Sequence, residues 1–194
     1  MGEVFGKIGE KIWKFTGPSD KSNVYLIDGA KKIMIDTGNR TDRAHLINFM
    51  GKAVDFDKVD AVIFTHLHLD HCGNFDLFPK AQFYASPAEI QAFREDPQGT
   101  VLDSVVADKL SKIQIMPLPA ELFGLKVIDT PGHTCGSVCL FYPAEKALFT
   151  GDTLFGTKRQ GRVDLPTSAP HEMKNSQMKI IEIPHKLLCP GHDY

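Results

Sequence analysis

The chain has 194 residues, 42% hydrophobic and 24% charged, with a formal net charge of −2. That is the composition of a single globular domain, 1–194, large enough for a sizeable core. Lys and Arg form no dense block, which argues against a nucleic-acid partner. No stretch reaches the roughly 20 apolar residues of a membrane span, so no membrane partner is expected and the cytoplasm is the expected location. The four cysteines, Cys72, Cys135, Cys139 and Cys189, contain no CxxC pair and read as packing residues rather than a disulfide framework.

Taken in order, Lys11–Phe15, Asn23–Ile27 and Lys32–Ile35 read as short strands separated by turns. Ala44, Leu46, Ile47 and Met50 give helical spacing over 41–51. Val59–Thr65 reads as a buried strand running into a histidine-rich loop. A strand over Ala81–Ala85 and a helix over Pro87–Arg94 follow, then a turn at Asp96-Pro97-Gln98-Gly99. Val101, Leu102, Val105, Val106 and Leu110 fall on one face of a further helix, either core or a flap or dimer surface, so a homodimer is left open. Strands are expected over Lys112–Met116, Leu125–Asp129, Ser137–Tyr142, Ala147–Thr150 and Lys186–Cys189, with a helix over Pro170–Ile181. Two such halves suit a duplicated α/β sandwich, sheets face to face with helices outside.

The loop itself is Thr65-His-Leu-His-Leu-Asp-His, which packs His66, His68, Asp70 and His71 into six positions. Buried side chains of this kind need partners, and imidazole with carboxylate is the donor set for zinc or non-haem iron. Three more candidates each follow a glycine near a strand end: His133 in Thr-Pro-Gly-His, Asp152 in Phe-Thr-Gly-Asp and His192 in Cys-Pro-Gly-His. One tetrahedral ion uses roughly three or four protein ligands. Seven suit two ions sharing a carboxylate, roughly 3.5–4 Å apart. His45, His171 and His185 lack such neighbours and read as surface or packing residues.

The His66–His71 loop resembles the HxHxDH signature of the metallo-β-lactamase superfamily. Asp36-Thr-Gly, Pro131-Gly-His, Thr150-Gly-Asp-Thr and Pro190-Gly-His are similar to its remaining motifs, in order and over nearly the whole chain. The resemblance implies a four-layer αββα sandwich with two divalent metal ions at one edge, zinc foremost, with iron or manganese as alternatives. It assigns His66, His68 and His133 to the first ion, Asp70, His71 and His192 to the second, and Asp152 to both. Asp36 would stand behind them and steady the histidine loop. His192 lies two residues from the end of the sequence, where fraying would loosen the second ion.

Gly151-Asp-Thr-Leu-Phe and Gly161-Arg-Val-Asp-Leu-Pro resemble the glyoxalase II-like branch, whose members carry a cation ten residues after the shared Asp. Arg162 takes that position and would bind a substrate carboxylate, unless it and Asp164 simply brace the loop. The Asp at 152, where the best-known zinc β-lactamases carry Cys, points away from β-lactams. The Tyr-containing segment that follows the cation in glyoxalase II is replaced by Val163-Asp164-Leu165-Pro166, which points away from glutathione as carrier. The implied activity is hydrolysis of a small-molecule thioester or ester by a hydroxide bridging the metals, with Asp70 as catalytic residue orienting it and taking its proton. Alternatives within the same superfamily are a lactonase-like hydrolase and a persulfide dioxygenase using one iron on His66, His133 and Asp152.

Overall fold

Alternation along the strands decides the architecture. The computed structural model describes residues 4–194. Seven strands form the first sheet in sequence order: β1 (Phe5–Lys7), β2 (Ile12–Thr16), β3 (Asn23–Asp28), β4 (Lys32–Ile35), β5 (Ala61–Ile63), β6 (Gln82–Ala85) and β7 (Ile115–Pro117). Five form the second: β8 (Glu121–Leu122), β9 (Leu125–Asp129), β10 (Val138–Tyr142), β11 (Ala147–Gly151) and β12 (Leu187–Pro190), ordered β12-β11-β10-β9-β8.

Within β3, Val24 and Leu26 point to one face, Tyr25 and Ile27 to the other. Tyr25, Ile27, Ile33, Ile35 and Ile63 meet Leu125, Val138, Leu140 and Phe149 of the second sheet in a shared core. The opposite face of the first sheet packs Val24, Leu26, Met34 and Val62 against helices α1 (Arg43–Met50), α3 (Pro87–Glu95), α4 (Pro97–Val101) and α5 (Ser104–Leu110). Behind the second sheet, Cys139 and Leu148 pack on Ile180 of α6 (Met173–Ile181). The result is the αββα sandwich, and burial of both faces explains why β3, β4 and β5 read as continuous apolar runs.

Three expectations need correction. The stretch 96–110 is not a turn and one helix. Asp96 caps α4 by accepting from the Gly99 N–H, Leu102 turns left-handed at φ 65°, and Asp103 caps α5 through the Val106 N–H. Each Asp offers the backbone a fresh start, so the helix breaks between them. The histidine loop includes a one-turn helix, α2 (Leu69–Cys72). Finally, β1 and β8 carried no sequence signal, being three and two residues long. All four cysteines are free; Cys72, Cys139 and Cys189 are buried as packing residues, whereas Cys135 is exposed. Among the described residues, no helix is long and apolar enough to cross a membrane.

Candidate metal centre

Strand direction gathers the donors. β4 and β5 run parallel, and β9, β11 and β12 run parallel to one another through β10. Asp36 follows β4, the histidine loop follows β5, and His133, Asp152 and His192 follow β9, β11 and β12. Loops leaving the same edge of a rigid scaffold are where reactive groups can converge.

All seven candidates meet there. His66, His68 and His133 present nitrogens within 4.8 Å of one another, and so do the donor atoms of Asp70, His71 and His192; Asp152 makes a third such group with His66 and His71. His133 Nε2 lies 3.2 Å from His66 Nε2 and 2.8 Å from His68 Nδ1. His71 Nε2 lies 3.3 Å from His192 Nε2. Ligands about 2.0–2.1 Å from a tetrahedral zinc stand about 3.3 Å apart, so most of these spacings fit a shared cation.

Asp152 gives the sharper test. It is 6% exposed, yet its Oδ1 is buried without a hydrogen-bond partner. The nitrogens His71 Nε2, His133 Nε2 and His192 Nε2 surround the carboxylate at 3.4, 3.4 and 3.6 Å. A buried carboxylate left like this is costly unless a cation neutralises it. The backbone makes room for it: a Cβ on Gly191 would fall 2.2 Å from Asp152 Oδ1, and one on Gly161 2.6 Å from His133 Nδ1.

Further contacts fix the rings. Asp36 accepts from the Thr65 N–H, the Thr65 hydroxyl and His71 Nδ1, each at 2.8 Å. His133 Nδ1 donates to the Arg162 carbonyl at 2.6 Å, and His192 Nδ1 to the Asp20 carbonyl at 3.0 Å. Fixing one ring nitrogen in this way aims the other at the cluster. His192 is tied down on several sides. The residue is 3% exposed, bridges Ser22, and its strand is sewn to β3 by Tyr25 and Asn23 on the Pro190 carbonyl.

Electrostatics divide the cluster. Burial pushes His66 and His133 below the ordinary imidazole range and His68 down to about 3, leaving them neutral, the form that binds metal. Burial also works against charge on His71 and His192, but facing carboxylates outweigh it and raise both. Asp70 and Asp152 are held ionised against burial, by His71 first in each case.

The cluster floors a cleft of about 390 Å³, whose rim includes Leu102, Phe155, Arg159, Arg162, Leu165 and Tyr194. Arg162 lies at the rim, paired with Asp164 through two bonds of 2.9 Å. His45, His171 and His185 are exposed and remote from the cluster. Sequence reasoning missed three contributors. The Arg162 carbonyl acts through the main chain and leaves no side-chain signal. Tyr194 stacks on His192 with centroids 4.9 Å apart. Glu89 sits buried behind the cluster on the apolar face of α3, a position where a carboxylate is itself the signal.

The comparisons agree with this geometry. The chain is 32% identical over 195 residues to a probable metallo-hydrolase of Methanocaldococcus jannaschii, covering 93% of this chain and 92% of that one. It is 37% identical over 139 residues to the hydroxyacylglutathione hydrolase of Brucella anthropi, covering 70% of this chain. It spans 48% of that enzyme, about half its length. The fold matches that of TTHA1623, crystallised in a di-iron-bound form, with a TM-score of 0.73, 25% identity, and coverage of 93% and 92%. With a family model described as the metallo-beta-lactamase superfamily matching residues 17–192, the chain belongs to that superfamily.

Proposed function

We propose that the protein is a metal-dependent hydrolase of small thioesters or esters, holding two divalent ions, zinc foremost. The observation that supports it most is Asp152, a buried carboxylate with one oxygen lacking a hydrogen-bond partner, standing between two trios of donors. His66, His68 and His133 would hold one ion, Asp70, His71 and His192 the other, and Asp152 both. Seven convergent donors exceed what a single iron on His66, His133 and Asp152 would use, which supports two ions rather than one.

Bound ions of this kind lower the pKa of a coordinated water toward 7 and polarise a carbonyl. Asp70, its Oδ2 3.1 Å from His192 Nε2 and its side chain 28% exposed, reaches both the cluster and the cleft. Ionised, it accepts the O–H of the attacking water and takes its proton as the new C–O bond forms. A thiolate, with a pKa of about 8.5, leaves without needing a proton donor. Arg162 at the rim gives Nε and Nη2 to Asp164, and its guanidinium would meet an anionic group on the substrate by its remaining N–H groups or by exchanging Asp164 for it. The hydroxyacylglutathione hydrolase among the relatives supports the thioester class, with the carrier left to experiment.

Metal analysis of the purified protein, combined with thioester hydrolysis and oxygen uptake on a persulfide, tests this reading. Two ions per chain with thioester cleavage is the expected result. One iron with oxygen consumption would replace it by the dioxygenase reading.

A further inference from the structure

Behind the donors lies a second fully buried carboxylate, Glu89, that belongs to none of the three donor groups. It stands in the first turn of α3, which Ser86 caps by accepting from the Glu89 N–H at 3.0 Å. The side chain turns away from its own helix. One carboxylate oxygen accepts from the Leu67 N–H at 2.8 Å, the other from the Thr134 hydroxyl at 2.7 Å. Leu67 sits between His66 and His68, and Thr134 follows His133. One carboxylate therefore grips both segments that carry the His66/His68/His133 trio, although those segments leave different sheets.

The approach of α3 to the His133 segment is close and specific. Ser86 Oγ donates to the Gly136 carbonyl at 2.6 Å. A Cβ at Gly136 would fall 2.2 Å from the Glu89 nitrogen and 2.5 Å from its Cα, so the packing requires glycine there. Among the described residues Glu89 makes no hydrogen bond to Asp70, His71 or His192. Asp36 instead holds His71 directly and Thr65 beside the loop.

We propose that Glu89 is a positioning residue for one ion of the pair, setting the spacing of His66 and His68 against His133, while Asp36 sets the ring of His71. This rests on the two-ion reading above. Contacts made behind metal ligands commonly govern affinity as strongly as some ligands do, because a donor misplaced by a fraction of an ångström no longer closes the site.

The test is titration of metal-free protein with Zn²⁺ against a chromophoric chelator, with Co²⁺ visible absorption reporting ligand geometry. E89A should weaken one ion about 10–100-fold and alter its Co²⁺ spectrum, with the other ion moved by less than about threefold. E89Q, the same length and still able to accept from Leu67, should recover most of the loss. Equal weakening of both ions, or none in a folded E89A, would overturn the proposal. If E89A fails to fold, T134V decides, since it removes only the hydroxyl donor; selective weakening of the same ion is expected, and wild-type binding of both would overturn it. Should wild-type protein bind a single ion, the two-ion reading falls by itself. E89A binding that ion like wild type would then overturn the role of Glu89 separately.

Discussion

At the floor of the cleft, Asp36 and Glu89 are buried; Asp36 accepts hydrogen bonds from both ends of the histidine loop, and Glu89 from two separate segments. At the rim, Arg162 and Asp164 are each 69% exposed and hold mainly each other. The floor is over-determined because any loose donor there would be a buried, unpaired polar group. The rim carries no such penalty, so its side chains are free to differ with substrate. On the proposed function, the floor would carry the chemistry and the rim the selectivity.

The comparison breaks first at Asp152. Asp152→Ala removes the carboxylate placed between the two trios, and turnover should fall by more than the about 100-fold typical for loss of an outer support. Metal content after dialysis, measured beside the initial rate, checks it; retention of two ions and wild-type turnover would show that Asp152 is not shared. Next comes Asp36→Asn, which keeps the left-handed backbone at φ 58° that Asn also tolerates. It removes an acceptor from His71 or Thr65, so metal affinity should drop about 10–100-fold while the fold persists. Chelator competition on the folded variant measures this, and unchanged affinity would make Asp36 a brace of the loop alone.

The rim should respond differently. Arg162→Ala leaves the carbonyl that receives His133 Nδ1 in place, so metal content should not change. KM for an anionic thioester should rise about two- to fivefold, in keeping with the modest worth of exposed charge pairs, with kcat unaltered. Steady-state kinetics on charged and neutral substrates of equal size separate the outcomes. A KM for the charged substrate left unchanged by the substitution would reduce the Arg162–Asp164 pair to a loop brace.

This division also explains what the sequence reveals. His66, His68, Asp70 and His71 are legible because four donors share one turn of chain, and His133, Asp152 and His192 because glycine precedes each. Glu89 is hidden by an ordinary pattern: Ser86-Pro-Ala-Glu89 has capping-box spacing, which predicts a carboxylate reaching back to its own helix. Only its place beside Ile90 and Phe93 on the buried face hints otherwise. The break at Leu102 was missed because apolar spacing runs through it, whereas the deciding caps at Asp96 and Asp103 are local hydrogen bonds. Of the rim, sequence shows the charges but not that Arg162 turns back on Asp164.

The smallest effect is expected where the segment beyond His192 is tied down. Lys14 Nζ reaches Asp193 Oδ1 and Oδ2 at 2.7 and 2.6 Å, with side chains 19% and 37% exposed. Burial works to raise the Asp193 pKa, but Lys14 and Asn23 outweigh it and hold the carboxyl below its usual range. A depressed carboxylate contributes stability above its unfolded pKa of about 3.9 and loses that contribution as pH falls through the folded value. Lys14→Ala should therefore destabilise the metal-free protein by less than about 1 kcal/mol at pH 7, given the partial exposure. The gap from wild type should close as pH drops below about 4, read from denaturant midpoints at successive pH values. A gap that stays constant with pH would assign the loss to the packed lysine stem rather than to its charge. Zinc affinity should barely move in this variant, because His192 keeps its own anchors at Asp20 and Ser22; a marked fall would place Asp193 among the supports of the floor.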